Sequence, residues 1–272
     1  MSVPIKGLID AAEVLWPTAG AEGWDAPGLV SGSARQQISR VLLTVDVTSS
    51  VLDEAIDGAF DMVISHHPFL MRGVTSLSEQ TSKGHLISRA VRAGVSLFAA
   101  HTNADIVQNG VSDVIAKAIG LANIRPLVES SPGVGHGRIG TLPEKMPLGE
   151  LARRIAKVMP STATGVRVSG EFTQLVQTVA LCGGAGDSFI GDAISSGADV
   201  YMSSDLRHHP VQDAREYALT QGTGPAIIDV SHWASEWLWL DVAANQLSEK
   251  FPQVQFVVSQ LRTDPWDFVI TQ

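Results

Sequence analysis

Apolar residues at Ile5, Leu8, Ile9, Ala12 and Leu15 recur at the spacing of one helix face, which predicts an amphipathic helix over residues 5–16, ended by Pro17. The period then changes. Val41-Leu42-Leu43-Thr44-Val45 is a short apolar run closed by Asp46, as in a buried strand. Thr48 or Ser49 caps a helix running to about Phe60, with Asp53 and Glu54 in its first turn. Met62-Val63-Ile64 reads as the next strand. A helix over 83–93 stopped by Gly94, a strand over 95–100 and a helix around 111–120 continue the alternation. Strands alternating with helices predict an α/β fold with a largely parallel sheet.

Residues 126–146 are rich in Pro and Gly and mark a boundary between domains. Beyond them, Leu148, Leu151, Ile155 and Val158 share a helix face, and residues 165–169 and 175–182 read as strands. An internal echo follows. Residues 54–63 and 192–201 each read as a helix tail, a small-residue turn, an Asp and a strand. The first copy leads to His66-His67-Pro68 and then His101-x-x-x-Asp105. The second leads, slightly later, to His208-His209-Pro210 and then His232-x-x-x-Glu236. Two motifs in the same order predict two related α/β halves. The expected division is a first domain of 1–125 with 227–272 and a second of 126–226. The expected site is a dinuclear metal centre in the cleft between the halves.

The candidate chemistry lies at the ends of these elements. Ser65-His66-His67-Pro68 follows a strand, and a turn there fans the two imidazoles apart, as two metal ions about 3.5–4 Å apart require. Taken alone, the pair reads equally well as a capping His beside a solvated one. His232 and Glu236, at i and i+4 of a helix capped by Ser231, share one face. In isolation they make a side-chain hydrogen bond; beside two more histidines and a second acid they suit a metal. Asp46, at a strand end, is as readily a solvated turn residue as a functional one. Trp24, in the turn-rich segment 21–29, reads as an anchoring aromatic. Cys182-Gly183-Gly184-Ala185-Gly186-Asp187 suits a tight turn or a phosphate cradle, and lacks the Lys-Ser/Thr of a P-loop. Cys182 itself reads as a buried small residue, and His85 and His136 as ordinary surface or turn histidines.

Composition narrows the classes. The 272 residues are 44% hydrophobic and 17% charged, enough for real cores. The net charge of −9, with no Lys/Arg block, argues against a nucleic-acid surface. The single cysteine rules out an intramolecular disulfide and fits a reducing compartment. No apolar run approaches the roughly 20 residues of a membrane span, and the start lacks a signal-peptide core. A cytoplasmic protein is expected.

The motifs together resemble a known family. They are Glu22-x-Trp24-Asp25-x-x-Gly28-Leu29, Asp46-Val47-Thr48, Ser65-His66-His67-Pro68, His101-Thr102-Asn103-x-Asp105, Gly137-Arg138-Ile139-Gly140, Gly197-Ala198-Asp199-Val200 and His232-x-x-x-Glu236. In this combination, over nearly the whole chain, the sequence is similar to the GTP cyclohydrolase 1 type 2 homologues, also called the interacting-factor-3-like family. The resemblance implies a two-domain α/β protein with two divalent metal ions, usually a toroidal homohexamer. It implies His67 and Asp105 on one ion, His66 and His232 on the other, and Glu236 bridging them. His209 matches a histidine of the second domain, whereas His208 stands where the family often has Tyr. Ala26 and Pro27 depart from the usual Asn and Val.

Two functions compete. One is a metal-dependent hydrolase acting on a nucleotide or related small molecule, with His101 or His209 shuttling protons and the glycine-rich turn or Arg207 holding phosphate. The other is a non-enzymatic metal-binding adaptor or regulator with the same ligands and no turnover. His and carboxylate ligands suit Zn, Mn, Fe or Ni alike.

Overall fold

The structure, a computed structural model, describes residues 2–271 and divides into two compact units. The first holds the residues up to Ala104 together with Leu240–Thr263; the second holds Asp105–Trp239 and the segment from Asp264.

The first unit is built on a five-stranded sheet in the order Gln255–Val258, Arg40–Thr44, Met62–Ser65, Ser96–Ala99, Gly28–Ser31. The first four strands are parallel and Gly28–Ser31 runs antiparallel at the edge. Helix Ser49–Asp57 joins the second and third of these strands, and helix Ser82–Ala93 the third and fourth. The Thr48 hydroxyl caps the first by accepting from the Val51 N–H, and the Thr81 hydroxyl caps the second through the Gly84 N–H. Gly94, at φ 72°, ends the second helix in the left-handed conformation that glycine adopts at least cost. Leu42, Val63 and Leu97 from the sheet pack on Val51, Leu52, Ala55, Ile87 and Ala90 from these helices, all buried.

The second unit carries a six-stranded sheet in the order Arg167–Ser169, Ala226–Val230, Val200–Ser204, Leu175–Ala185, Arg138–Pro147, Ala122–Arg125. Only its three central strands are parallel; the outer pairings are antiparallel. The largely parallel reading therefore fits the first sheet and only the centre of the second. Residues 126–146 are not a plain connector. They contain strands Val128–Ser131 and Val134–His136 and most of Arg138–Pro147. Their many glycines and exposed polar positions blur the alternation that announces a strand.

The internal echo is present in the backbone. In the first unit the Asp61 N–H donates to the Arg40 carbonyl, the Ser96 N–H donates to the Asp61 carbonyl, and the Asp61 carboxylate accepts from the Ser39 and Arg40 N–H groups. In the second, the Asp199 N–H donates to the Thr178 carbonyl, the Ala226 N–H to the Asp199 carbonyl, and the Asp199 carboxylate accepts from the Gln177 and Thr178 N–H groups. Each Asp thus ties together the starts of three parallel strands. The registers Ser65↔Ala99 and Ser204↔Val230 then make His101 equivalent to His232, and Asp105 to Glu236. They make His66 equivalent to Asp205, not to His208 or His209. The second His-His-Pro begins helix His208–Gln221, beyond the strand end.

Candidate metal centre

In the first unit the backbone of His66 and His67 extends the pairing of its strand, donating to the Thr44 and Val45 carbonyls. Both imidazoles are thereby held at the carboxyl end of the parallel sheet. His101 arrives at the same end from the next strand. The ring centroids lie 5.2 Å apart for His66 and His67, 5.1 Å for His66 and His101, and 5.4 Å for His67 and His101. One nitrogen from each ring lies within 4.8 Å of the other two.

Each ring is oriented through Nδ1. His66 Nδ1 donates to the Ala100 carbonyl at 2.9 Å. His67 Nδ1 meets the Asp46 carboxylate at 2.7 Å, and the other Asp46 oxygen accepts from the Thr263 hydroxyl at 2.6 Å. His101 Nδ1 meets Asp25 at 2.8 Å, and Asp25 also accepts from the Thr102 N–H and hydroxyl. Burial pushes the Asp25 carboxyl up, but the hydrogen bonds from Thr102 and His101 outweigh it and hold the group below the ordinary carboxylate value. Burial, reinforced by the neighbouring His66, pushes His101 down to about 4 in spite of Asp25. With Nδ1–H committed to an oxygen, Nε2 is the nitrogen that bears the lone pair, the tautomer a metal ligand needs.

In the second unit Ser231 caps helix His232–Lys250, accepting from the Ala234 N–H at 3.2 Å. This fixes His232 and Glu236 one turn apart on one face, with Nε2 2.9 Å from Glu236 Oε1. His232 Nδ1 meets Asp205 at 2.7 Å, and Asp205 turns toward it from the strand end at φ 53°. Burial would lower the His232 pKa; the Glu236 and Asp205 carboxylates reverse that and raise it to about 11. The two carboxylates thus favour the charged imidazole, with Glu236 Oε1 facing Nε2. Asp105 closes the short helix Thr102–Asp105. Burial first, then the Asp105 and Glu236 carboxylates, push the Cys182 thiol up to about 12. Cys182 is thus an inert buried thiol, as its sequence context indicates.

Close approach is built into this corner. Gly184 sits at φ +68°, and a Cβ there would lie 2.5 Å from Glu236 Oε1. The Gly183 and Gly184 N–H groups donate to the Ser112 and Ser235 hydroxyls. The glycine-rich turn therefore spends these donors on packing the Glu236 corner, and they are not available to cradle a phosphate.

Trp24 is 59% exposed and sits edge-on to His101 at 5.8 Å, so it does not anchor its loop. His208 and His209 lie on the exposed first turn of their helix with rings 5.2 Å apart. Of the orienting carboxylates, Asp25 was legible only as part of a motif, with no signal of its role, and Asp205 carried no signal, because each meets its histidine from a distant segment. Among the described residues, then, the structure holds His/carboxylate groups able to bind a metal ion. Imidazole Nε2 and carboxylate oxygen suit first-row divalent ions.

The profile of the family Duf34/NIF3 (NGG1p interacting factor 3) matches residues 3–265. The chain belongs to the DUF34/NIF3 family. A Streptomyces coelicolor protein named GTP cyclohydrolase 1 type 2 homolog is 40% identical over 96% of this chain and 93% of its own length. A Bacillus cereus protein related to NIF3 superposes with a TM-score of 0.89 at 24% identity, covering 98% of this chain and 99% of that one. The Staphylococcus aureus hypothetical protein SA1388 superposes at 0.88 with 27% identity and the same coverage. The DUF34/NIF3 assignment agrees with the resemblance carried by the sequence motifs, and these neighbours share the mixed α/β fold.

Proposed function

We propose that this member of the DUF34/NIF3 family binds two divalent first-row ions through His66, His67, Asp105, His232 and Glu236, and hydrolyses a nucleotide or a related small molecule. The observation that carries the reading is the orientation of the ligand histidines. His66, His67 and His232 each engage an oxygen through Nδ1, the support that metal-ligating histidines have, and His232 turns Nε2 to the carboxylate of Glu236, a second proposed ligand. Ordinary surface histidines need no such support.

When bound, two such ions polarise the bond under attack and lower the pKa of an attacking water. The chain's own residues supply the rest. Asp46, Asp205 and the Ala100 carbonyl hold the ligand rings in place. Glu236, 3% exposed, contributes a buried negative charge that offsets the mutual repulsion of two dications. His101, oriented by an ionised Asp25 and standing beside His66 and His67, is the first candidate for passing a proton. His209 is a second candidate for that role. The exposed face of Trp24 beside His101 is suited to stacking a planar ring.

The experiment is turnover by metal-reconstituted protein on a panel of nucleotides and phosphoesters. Hydrolysis that disappears in both His66→Ala and His232→Ala while the fold survives is the expected result. Tight metal binding with no turnover on any member of the panel would reject the hydrolase and leave a metal-binding adaptor.

A further inference from the structure

A cavity of about 360 Å³ lies in the second unit, bounded by helix His208–Gln221, by the sheet's edge strand Arg167–Ser169 and by its neighbour Ala226–Val230. Its two walls are complementary in kind. The helix contributes His208, Val211, Gln212 and Arg215, spaced i, i+3, i+4 and i+7, and so presents one face. The sheet contributes Arg167 opposite Asp229 and Ser169 opposite Ile227.

The charge here runs against the rest of the molecule. The chain carries a net −9, yet the cavity's charged lining is Arg167, Arg207 and Arg215 against the single carboxylate of Asp229. That carboxylate is already engaged. One of its oxygens accepts the Leu206 N–H at 3.1 Å, and the other accepts Arg167 Nε at 2.8 Å as well as Arg167 Nη2. Arg207 is held in turn by Asp187 through Nε. Two guanidinium groups therefore each meet a carboxylate and keep further N–H donors. Ile227 and Val211 add apolar lining.

We propose that this cavity binds a small molecule carrying a phosphate group on a planar or apolar body. The arginine fork matches phosphate oxygens in pairs, and the aliphatic lining suits the uncharged part of such a ligand. The segment that forms the cavity's wall also reaches the metal candidates of the same unit. Asp205, next to Leu206, bonds His232. A ligand seated on Arg207 thus lies at the far end of the turn that orients His232. The inference goes beyond the metal reading and does not depend on it.

The test uses chelator-treated protein, so that metal-held phosphate makes no contribution. Inorganic phosphate and phenyl phosphate are titrated calorimetrically into the wild type, Arg215→Ala, Arg207→Ala and, as a control, Arg153→Ala, whose exposed side chain pairs with Glu150 and does not line the cavity. Arg215 stands on an exposed helix face, where Ala preserves the helix; circular dichroism checks that each variant is folded. Saturable binding is expected, tighter for phenyl phosphate than for phosphate. It should be about tenfold weaker in Arg215→Ala and Arg207→Ala, weaken with added salt, and be unchanged in Arg153→Ala. No saturable binding in the wild type, or equal weakening in all three variants, overturns the proposal.

Discussion

His101 shows how much of the site is decided by a single buried group. Its unperturbed value of 6.5 falls to about 4 in the fold, through burial and the neighbouring His66. The unfolded chain therefore binds a proton that the folded chain refuses. The resulting stability is complete above about 6.5 and is lost as the pH falls toward 4, by up to about 3 kcal/mol for a shift of this size. Urea denaturation of the metal-free protein at pH 7 and pH 4.5 should show that loss in the wild type and a smaller one in His101→Gln; identical losses would show that His101 is not the group responsible. The four histidines at these two sheet ends were legible in sequence because each ends an apolar run or opens a helix. Their orienting carboxylates were not, because Asp25 lies 76 residues from His101 and Asp205 lies 27 from His232. Such a pairing leaves no local spacing to read. Trp24 was misread for a related reason, since an aromatic in a loop carries no sign of whether its ring faces the interior.

At the scale of elements, periodicity was a good guide wherever helices separate parallel strands. The echo around Asp61 and Asp199 survives as matching hydrogen bonds at the starts of both central sheets. It misled only at His208-His209-Pro210, where like residues occupy a helix start and the equivalent of His66 is Asp205. The glycine-rich strands after residue 126 escaped notice, and they carry the second unit's most demanding polar group. Arg138, 2% exposed, donates from Nε to Asp113, from Nη1 to the Gly135 and Gly137 carbonyls, and from Nη2 to those of Ile106 and Val107. Asp113 also pairs with Lys117. Lysine has neither the planar fork nor five donors, so Arg138→Lys leaves several of these oxygens unsatisfied and Asp113 short of its partner. The expected loss is about 3–5 kcal/mol in denaturant unfolding. A loss below about 1 kcal/mol, the size of an exposed ion pair, would show that the network contributes little.

The molecule as a whole combines a net charge of −9 with clustered histidines and buried carboxylates, a balance suited to holding cations. Among the described residues no helix is long and apolar enough to cross a membrane. Exposed Phe172, Leu175 and Leu219 in the second unit are apolar surface of the kind that subunit contacts cover. We propose a cyclic homo-oligomer, a hexamer; light scattering that returns a monomer across micromolar concentrations rejects it. The two dications remain the central claim, and metal stoichiometry tests them most directly. Metal-free wild type, Asp105→Ala and Glu236→Ala are saturated with one divalent ion, desalted, checked for folding by circular dichroism and assayed by elemental analysis. If Glu236 bridges, its loss removes a ligand from each ion and the negative charge that offsets their repulsion. The predicted result is two tightly held ions per chain in the wild type, about one in Asp105→Ala and fewer than one in Glu236→Ala. A wild type that never exceeds one ion, or a Glu236→Ala variant that keeps two, contradicts it.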